Sequence, residues 1–151
     1  MRGNDLAIGL QQLLASSCGL GYVRAMNRVV HFEIPADNMD RAQQFYSSAF
    51  GWTTSSPPGL QYALVHTTET DKQGKPQTPG AINGGILPRK APLNGPVITV
   101  DVGNIDEAIG RVQKAGGQVV HPKFQVGSFG ISAYIKDTEG NVIGLWQCLP
   151  K

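Results

Sequence analysis

The sequence contains an internal repeat. Asn38–Trp52 (NMDRAQQFYSSAFGW) and Asn104–Gln118 (NIDEAIGRVQKAGGQ) align at a constant offset of 66 residues. Five identities hold this register: Asn38 with Asn104, Asp40 with Asp106, Ala42 with Ala108, Ala49 with Ala115, and Gly51 with Gly117. An apolar run precedes each copy. Two copies of a strand–helix–strand unit indicate a duplicated fold, and they favour a functional site where the copies face each other.

Each copy continues through the same succession of elements. Asparagine N-caps, apolar residues at helical spacing and a terminal glycine predict one helix per copy, and β-branched runs predict four strands. The order is βαβββ twice, in modules at residues 26–90 and 95–151, so the fold class is α+β. In the second module we expect a short strand at residues 118–121 that ends before Pro122. Two such sheets side by side should form a curved mixed sheet with a cleft, which is a natural ligand site.

Composition argues against several functional classes. The 151 residues include 13 Lys and Arg and 11 Asp and Glu, all scattered, so we expect no nucleic-acid partner. Residues 1–25 contain an apolar stretch that is too short and interrupted to span a bilayer and that makes a poor signal peptide. We therefore expect a flexible N-terminal extension and no membrane partner. Cys18 and Cys148 cannot form a disulfide framework, which favours a cytoplasmic location.

Three motifs resemble those of one protein superfamily. They are HFEIPADNMDRAQQFYSSAFGW at residues 31–52, GAINGGI at residues 80–86 and DTEGNVIGLWQ at residues 137–147. Over residues 26–151 the chain is similar to the glyoxalase / bleomycin resistance protein / extradiol dioxygenase superfamily, also called vicinal oxygen chelate proteins. The resemblance implies the duplicated βαβββ fold. It implies little about activity, because that fold serves lyases, dioxygenases, epimerases, thiol transferases and drug-sequestering proteins.

The resemblance also locates the metal site of the metal-dependent members. Their divalent ion is held by side chains from the first and last strand of each module. The four corresponding positions in this sequence are His31, Gly85, Val97 and Gly144. Only the histidine offers a lone pair, whereas a tight site needs three or four protein ligands. We therefore expect no cofactor, with a weak divalent site made by His31, Glu33 and Asp101 as the alternative.

The cleft is the candidate ligand site that the resemblance implies. Alternate residues of a strand share one face, and we expect seven of them to contact a ligand: His31, Glu33, Gly85, Thr99, Asp101, Gly144 and Trp146. The two glycines remove side-chain volume, which leaves room for a planar ligand beside the indole. On that basis Gly144→Glu should fold, as related proteins carry Glu there, but lose aromatic ligands. Further candidates for the cleft walls are Tyr62, His66, Phe129 and Tyr134.

His31 and Glu33 are the candidate catalytic residues. A neighbouring carboxylate favours the charged form of an imidazole, so this pair could act as a general base. The alternatives are a half-buried, hydrogen-bonded histidine and a solvated glutamate on the strand.

Two functions follow from these residues. The first is binding of a small apolar or aromatic molecule in the cleft between the modules, without standard metal chemistry. The second is a lyase or isomerase that acts on a carbonyl compound through His31 and Glu33 or through a weakly bound metal. The aromatic helix face around Phe45, Tyr46 and Phe50 predicts a symmetric homodimer if its own sheet leaves that face uncovered.

We predict that the protein holds no stoichiometric transition metal. After purification without chelator and desalting, elemental analysis should find far less than one equivalent of zinc, nickel, iron or manganese per chain, because three of the four ligand positions are apolar or glycine. About one equivalent of metal that is lost in His31→Ala would contradict this prediction.

Overall fold

A computed structural model of the chain describes residues 26–150. The elements follow one another as β1 (Val29–Ala36), α1 (Met39–Phe50), β2 (Thr53–Ser55), β3 (Ala63–His66), β4 (Gly84–Pro88), β5 (Val97–Asp101), α2 (Ile105–Lys114), β6 (Gln118–Val126), β7 (Gly130–Lys136) and β8 (Val142–Cys148). The expected extension at residues 1–25 lies outside the described part of the chain. Neither helix of the described part is long and apolar enough to cross a membrane.

The strands form one mixed sheet in the order β2-β3-β4-β1-β5-β8-β7-β6. β1 and β5 pair antiparallel at the centre, and each has a parallel neighbour on its outer side, β4 or β8. The counterparts in the two modules are β1 and β5, β2 and β6, β3 and β7, and β4 and β8. When each strand is replaced by its counterpart, the strand order read from one edge equals the order read from the other. The α+β class and the duplicated βαβββ order are therefore confirmed, while the exact module limits at residues 90 and 95 stay a prediction.

The central pairing reproduces the offset of the repeat. His31 lies opposite Thr99, and Glu33 lies opposite Val97. The repeat equivalent of His31 is Val97, which faces Glu33. The repeat equivalent of Glu33 is Thr99, which faces His31. A twofold rotation therefore exchanges the two pairs. This arrangement is the one expected when two copies of a unit meet through the same edge.

The helices begin where the sequence predicts them. The side chain of Asn38 accepts a hydrogen bond from the backbone nitrogen of Arg41 at 2.8 Å, and Asn104 accepts one from Glu107 at 3.0 Å. Each bond satisfies a backbone donor that the first helical turn leaves unpaired. α1 ends at Gly51, whose φ of 68° lies in the left-handed region.

The two faces of the sheet bury different cores. On one face, α1 and α2 cover two aliphatic clusters built partly from Val65, Ile86 and Leu145. The opposite face, here called the inner face, carries a third cluster in which aromatic residues alternate with aliphatic ones. Its buried members are Tyr62, Leu64, Leu87, Leu93, Val97, Val126, Tyr134 and Trp146.

β6 differs from the prediction. It extends from Gln118 to Val126 and passes through Pro122, where the sequence predicted that it would end. Proline has no backbone N–H to donate to a neighbouring strand. β6 tolerates it because this strand lies at the edge of the sheet, where one side of the backbone has no neighbouring strand to bond. Its pairing with β7 also shifts register between His121 and Phe124, which accommodates the interruption.

The outer side of α1 carries exposed aromatic residues. Phe45 is 57% exposed and Phe50 is 61% exposed. Tyr46 stacks on Trp52 with ring centroids 5.1 Å apart and planes inclined by 8°, so this ring is held against the protein. The exposed face that motivated the homodimer is therefore present, and the dimer itself stays a prediction.

Two glycines should respond in opposite directions to the same substitution. A Cβ at Gly51 or at Gly110 would meet no described atom within 4 Å, so contacts do not separate the two sites. Gly51→Ala should lower the free energy of unfolding by about 1 kcal/mol, because alanine disfavours a positive φ. Gly110→Ala, within α2, should raise it by about 0.5–1 kcal/mol. Urea unfolding of both variants measures the difference, and effects of the same sign would refute the backbone assignment.

Candidate functional site

The candidate site lies on the inner face, where the two modules meet. His31 and Glu33 on β1 lie beside Thr99 and Val97 on β5, and all four side chains are buried. Gly85 on β4 lies next to Glu33, and Gly144 on β8 lies next to Thr99. These two glycines occupy equivalent places in the two modules. The pairing of strands therefore brings the predicted site residues together at the centre of the sheet.

Two tyrosines complete a buried polar cluster. The hydroxyl of Tyr62 lies 2.9 Å from Nε2 of His31, and the hydroxyl of Tyr134 donates to Oε2 of Glu33 at 2.8 Å. Tyr62 belongs to the first module, whereas Tyr134 comes from β7 of the second. Glu33 is thus held by a side chain from across the molecule. We call His31, Glu33, Tyr62 and Tyr134 the central cluster.

His31 is neutral in the central cluster. Burial lowers the pKa of His31 to about 3, although a hydrogen bond to the backbone of Asn83 opposes this. A carbonyl oxygen can only accept, so the ring nitrogen facing Asn83 carries the proton. Nε2 then accepts from the hydroxyl of Tyr62. The expectation that Glu33 would favour a charged imidazole is wrong, because burial favours the neutral ring more strongly than the hydrogen bond to the Asn83 carbonyl favours the charged one.

The pKa of Glu33 is shifted in the opposite direction to that of His31. Burial raises the pKa of Glu33 to about 7, against hydrogen bonds with Tyr134 and then Tyr62 that lower it. The hydroxyl of Tyr62 is near enough to Glu33 to oppose the rise in its pKa. Oε1 of Glu33 nevertheless has no well-formed hydrogen bond to any described residue. The same burial raises the pKa of both tyrosines, and the charge of Glu33 adds to it. The alternative of a solvated glutamate is excluded, because Glu33 is 0% exposed.

The space at the two glycines is filled by the chain itself. A Cβ at Gly85 would collide with the phenol ring and hydroxyl of Tyr62, and one at Gly144 would lie 2.6 Å from Oγ1 of Thr99. The volume that the sequence analysis assigned to a ligand is therefore occupied in this conformation. Gly144→Glu, which we expected to fold, should instead be destabilised unless Thr99 moves.

Trp146 and Asp101 lie further along the same face. Trp146 is fully buried, and its ring fills the space beside Gly130. Asp101 lies opposite Trp146 on β5, and its carboxylate is 3.5 Å from the guanidinium of Arg28. Burial raises the pKa of Asp101, and Arg28 opposes that rise. Both residues share the face of the central cluster, but each has contacts of its own.

The residues present do not fit the metal site of the metal-dependent relatives. Among residues 26–150, no three or more His, Cys, Asp and Glu side chains converge as a metal requires. The weak site considered for His31, Glu33 and Asp101 is therefore not formed in this conformation. Nε2 of His31 already faces Tyr62, and Glu33 is held by Tyr134. We assign no chemical step to a metal here.

Two buried polar residues of the inner face were not predicted from the sequence. Asn83 and Ser132 are each 3% exposed, and Asn83 also supplies the carbonyl that orients His31. Alternation within the GAINGGI motif could have shown Asn83, since residues two apart on a strand share a face and Asn83 lies two residues before Gly85. Of the suggested cleft walls, Tyr62 and Tyr134 join the central cluster. His66 lies at the end of β3, and Phe129 is partly exposed in the turn before β7.

Comparison with known proteins agrees with this architecture. Residues 28–68 match a family described as bleomycin resistance protein-like N-terminal. Over 120 residues the chain is 31% identical to CFP32 of Mycobacterium tuberculosis, whose name describes a candidate glyoxylase. That match covers 76% of this chain and 43% of CFP32, so the chain spans less than half the length of this relative.

Two solved structures share the fold. A glyoxalase/bleomycin resistance protein/dioxygenase superfamily member from Vibrio splendidus 12B01 has a TM-score of 0.52 and 16% identity, covering 82% of this chain and 100% of that one. A variant of Streptomyces coelicolor methylmalonyl-CoA epimerase, in complex with 2-nitronate-propionyl-CoA, has a TM-score of 0.56 and 16% identity. It covers 83% of this chain and 100% of its own. At such identities the likeness concerns the fold alone.

The central cluster predicts two opposing effects of pH on stability. Because the pKa of Glu33 is raised from 4.5 to about 7, its contribution is present below pH 4.5 and is lost as pH rises through 7, by roughly 3 kcal/mol. Because the pKa of His31 is lowered from 6.5 to about 3, its contribution is present above pH 6.5 and is lost as pH falls through 3. Between pH 4.5 and 6.5 the two slopes should cancel.

Single substitutions should separate the pH dependence of stability that Glu33 contributes from the one that His31 contributes. From pH 6.5 to 4.5, Glu33→Gln should lose stability relative to the parent by about 1.4 kcal/mol per pH unit, because only His31 then titrates. His31→Gln should instead lose stability as pH rises from 4.5 to 7. Urea unfolding across this range measures both, with Glu139→Gln in the exposed β7–β8 turn as the matched control. A Glu33→Gln profile parallel to that of the parent would rule out the protonation scheme.

Proposed function

Because this chain belongs to the glyoxalase/bleomycin resistance protein/dioxygenase superfamily, we propose that it binds a small molecule on the inner face between its modules, without standard metal chemistry. One observation carries this proposal. Oε1 of Glu33 is buried without a well-formed hydrogen bond to any described residue, at the centre of an aromatic and aliphatic wall. Buried polar atoms are usually paired, so an unpaired one at the centre of a fold supports a missing partner.

The surroundings favour an apolar or aromatic body for that molecule. Tyr62, Tyr134 and Trp146 are buried on the inner face together with the aliphatic residues Leu64 and Val97. Aromatic side chains of this kind offer flat, polarisable surfaces to a planar ligand. A mainly apolar lining with a few polar groups is the usual composition of a small-molecule site.

The protonation states favour a neutral ligand with one hydrogen-bond acceptor. Below about pH 7, Glu33 carries a proton and can donate it in a hydrogen bond from its carboxyl group. A carbonyl oxygen suits this donor. His31 is neutral and offers no positive charge to an anion, because burial holds its pKa at about 3. A charged ligand would therefore enter an apolar site without a counter-ion, which is costly.

Binding requires the central cluster to open. Tyr62 fills the space beside Gly85, so its ring must rotate away before a ligand can lie over β4. The residues proposed to contact the ligand are then His31, Glu33, Gly85, Thr99, Asp101, Gly144 and Trp146. A homodimer formed through the exposed side of α1 and a cytoplasmic location are retained as parts of the proposal.

We predict that binding weakens as Glu33 ionises. A library of small aromatic ketones and aldehydes, screened by fluorescence of Trp146 in a Trp52→Phe background, should yield compounds that bind at pH 6 and bind roughly tenfold or more weakly at pH 8.5. The reason is that an ionised Glu33 no longer donates a hydrogen bond to the carbonyl oxygen and leaves a buried charge beside it. Equal affinity at both pH values would contradict the assignment of Glu33.

Glu33→Gln is the discriminating variant. Glutamine is neutral at both pH values and keeps a donor, so the affinity should be retained and its pH dependence should disappear. Glu139→Gln should behave as the parent protein does, because Glu139 is exposed. Carbonyl-free analogues of the compounds that bind should bind more weakly to the parent at pH 6.

Proton transfer is the second candidate function. A buried carboxyl with a pKa of about 7 can donate or accept a proton near neutral pH, which suits general acid–base catalysis in an isomerase or lyase. Incubation of a bound carbonyl compound in D2O separates the two candidates. Exchange of the proton next to the carbonyl, lost by about a hundredfold or more in Glu33→Gln, would favour catalysis. Binding without exchange would favour the first proposal.

A further inference from the structure

A second, polar groove lies at the β2–β3 edge of the sheet, and its lining shares no residue with the central cluster. It has a volume of about 420 Å³. Its walls come from the end of α1, from β2 and β3 and from the loop that follows β3: Gly51, Thr53, His66, Thr67, Thr68, Glu69 and Thr70. We call it the threonine groove. We propose that the threonine groove binds a small, neutral, polyhydroxylated molecule.

Two buried polar atoms beside the threonine groove lack partners. One belongs to His66, which lines the groove, and the other to Asn83, which does not line it but accepts a hydrogen bond from the lining residue Thr67. They are Nδ1 of His66 and Nδ2 of Asn83, neither of which has a hydrogen bond to any described residue. The antiparallel pairing of Val65 with Gly84 brings the next residues, His66 and Asn83, opposite each other. Both therefore lie on the same face of the sheet. Two orphaned atoms at neighbouring positions point to a missing hydrogen-bonding partner.

The oxygen of Asn83 is already in use, which defines what a ligand must supply. Oδ1 accepts from the backbone nitrogen of Thr67 at 2.9 Å, while the hydroxyl of Thr67 donates to the carbonyl of Ile82 at 2.8 Å. The bond to the backbone nitrogen fixes the orientation of the amide, so Nδ2 faces away from Thr67 as a donor. A ligand at this position must therefore present an acceptor oxygen.

The walls of the groove favour hydroxyl groups over anions. No Lys or Arg is among the described residues that line it, so a phosphate or carboxylate would find no opposite charge. The hydroxyl of Thr67 donates to the carbonyl of Ile82, and that of Thr68 is paired with Thr78. The hydroxyls of Thr53 and Thr70 can both donate to and accept from a ligand, and the carboxylate of Glu69 accepts. A ligand must then both donate and accept along its length. Hydroxyl groups meet this requirement without a charge, and few apolar side chains are present to hold a hydrocarbon.

The threonine groove does not depend on the proposed function. The central cluster contacts this region through the backbone of Asn83, which accepts a hydrogen bond from His31. The side chains that line the groove are not those of the central cluster. Glu33→Gln should therefore leave polyol binding unchanged, so the two proposals can fail separately.

Nuclear magnetic resonance of the 15N-labelled full chain tests the proposal, with D-glucose and myo-inositol as probes. The side-chain amide signals of Asn83 should shift saturably with at least one polyol in the millimolar range. Sodium acetate and cyclohexanol at equal concentrations should produce no saturable shift. Thr53→Val should weaken polyol binding by roughly threefold to tenfold, the effect of one lost hydrogen bond. Thr53 is exposed, so this variant keeps the core intact.

Two further variants complete the test. His66→Gln should also weaken polyol binding, whereas His121→Gln, on β6 at the opposite edge of the sheet, should bind as the parent does. Saturation by acetate but not by either polyol would overturn the proposal in favour of an anion site. The absence of any saturable shift would overturn it in favour of water as the partner of Asn83. Equal affinity in Thr53→Val and the parent would show that the polyols bind elsewhere.

Discussion

The antiparallel pairing of β1 with β5 joins the two halves of this molecule. Each half is a small sheet with one helix, and neither can cover its inner face alone. When the two strands pair, His31 and Glu33 of one half lie beside Thr99 and Val97 of the other. The outer strands then extend the sheet in both directions, and Tyr134 can reach Glu33 from the second half. The central cluster exists only because this pairing has formed.

Burial controls the chemistry of the central cluster more strongly than the proximity of its members. An exposed glutamate and histidine on the same face of a strand would favour their charged forms. In the interior, the cost of desolvating two charges is larger than their attraction, so the neutral forms are favoured. Burial therefore lowers the pKa of His31 to about 3 and raises that of Glu33 to about 7. The result is a donor–acceptor arrangement without charge, on which the proposed binding of a neutral molecule rests.

Several features were predictable from the sequence because they depend on local patterns. The offset of 66 residues predicted the duplication, the asparagine caps predicted both helix starts, and the position of His31 predicted a place at the interface of the halves. The motifs also identified Gly85 and Gly144 as equivalent positions. What they could not show was which side chain uses the space at each glycine. Tyr62 reaches Gly85 across β3 and β4, and such a contact depends on register and rotamer.

The sequence by itself determined the succession of elements and the twofold plan, since each depends on residue type at a given place in the chain. It also has Gly85, Val97 and Gly144, which offer no side-chain ligand, at three of the four positions that the resemblance aligns with metal ligands. Only the tertiary structure decided that His31 is neutral, that Tyr62 and Tyr134 close over the centre, and that Asn83 and His66 adjoin a polar groove. Those properties depend on how far each group is removed from water and on which distant side chain becomes its partner. Both quantities arise from the packing of strands that are far apart in the chain, so no local pattern encodes them.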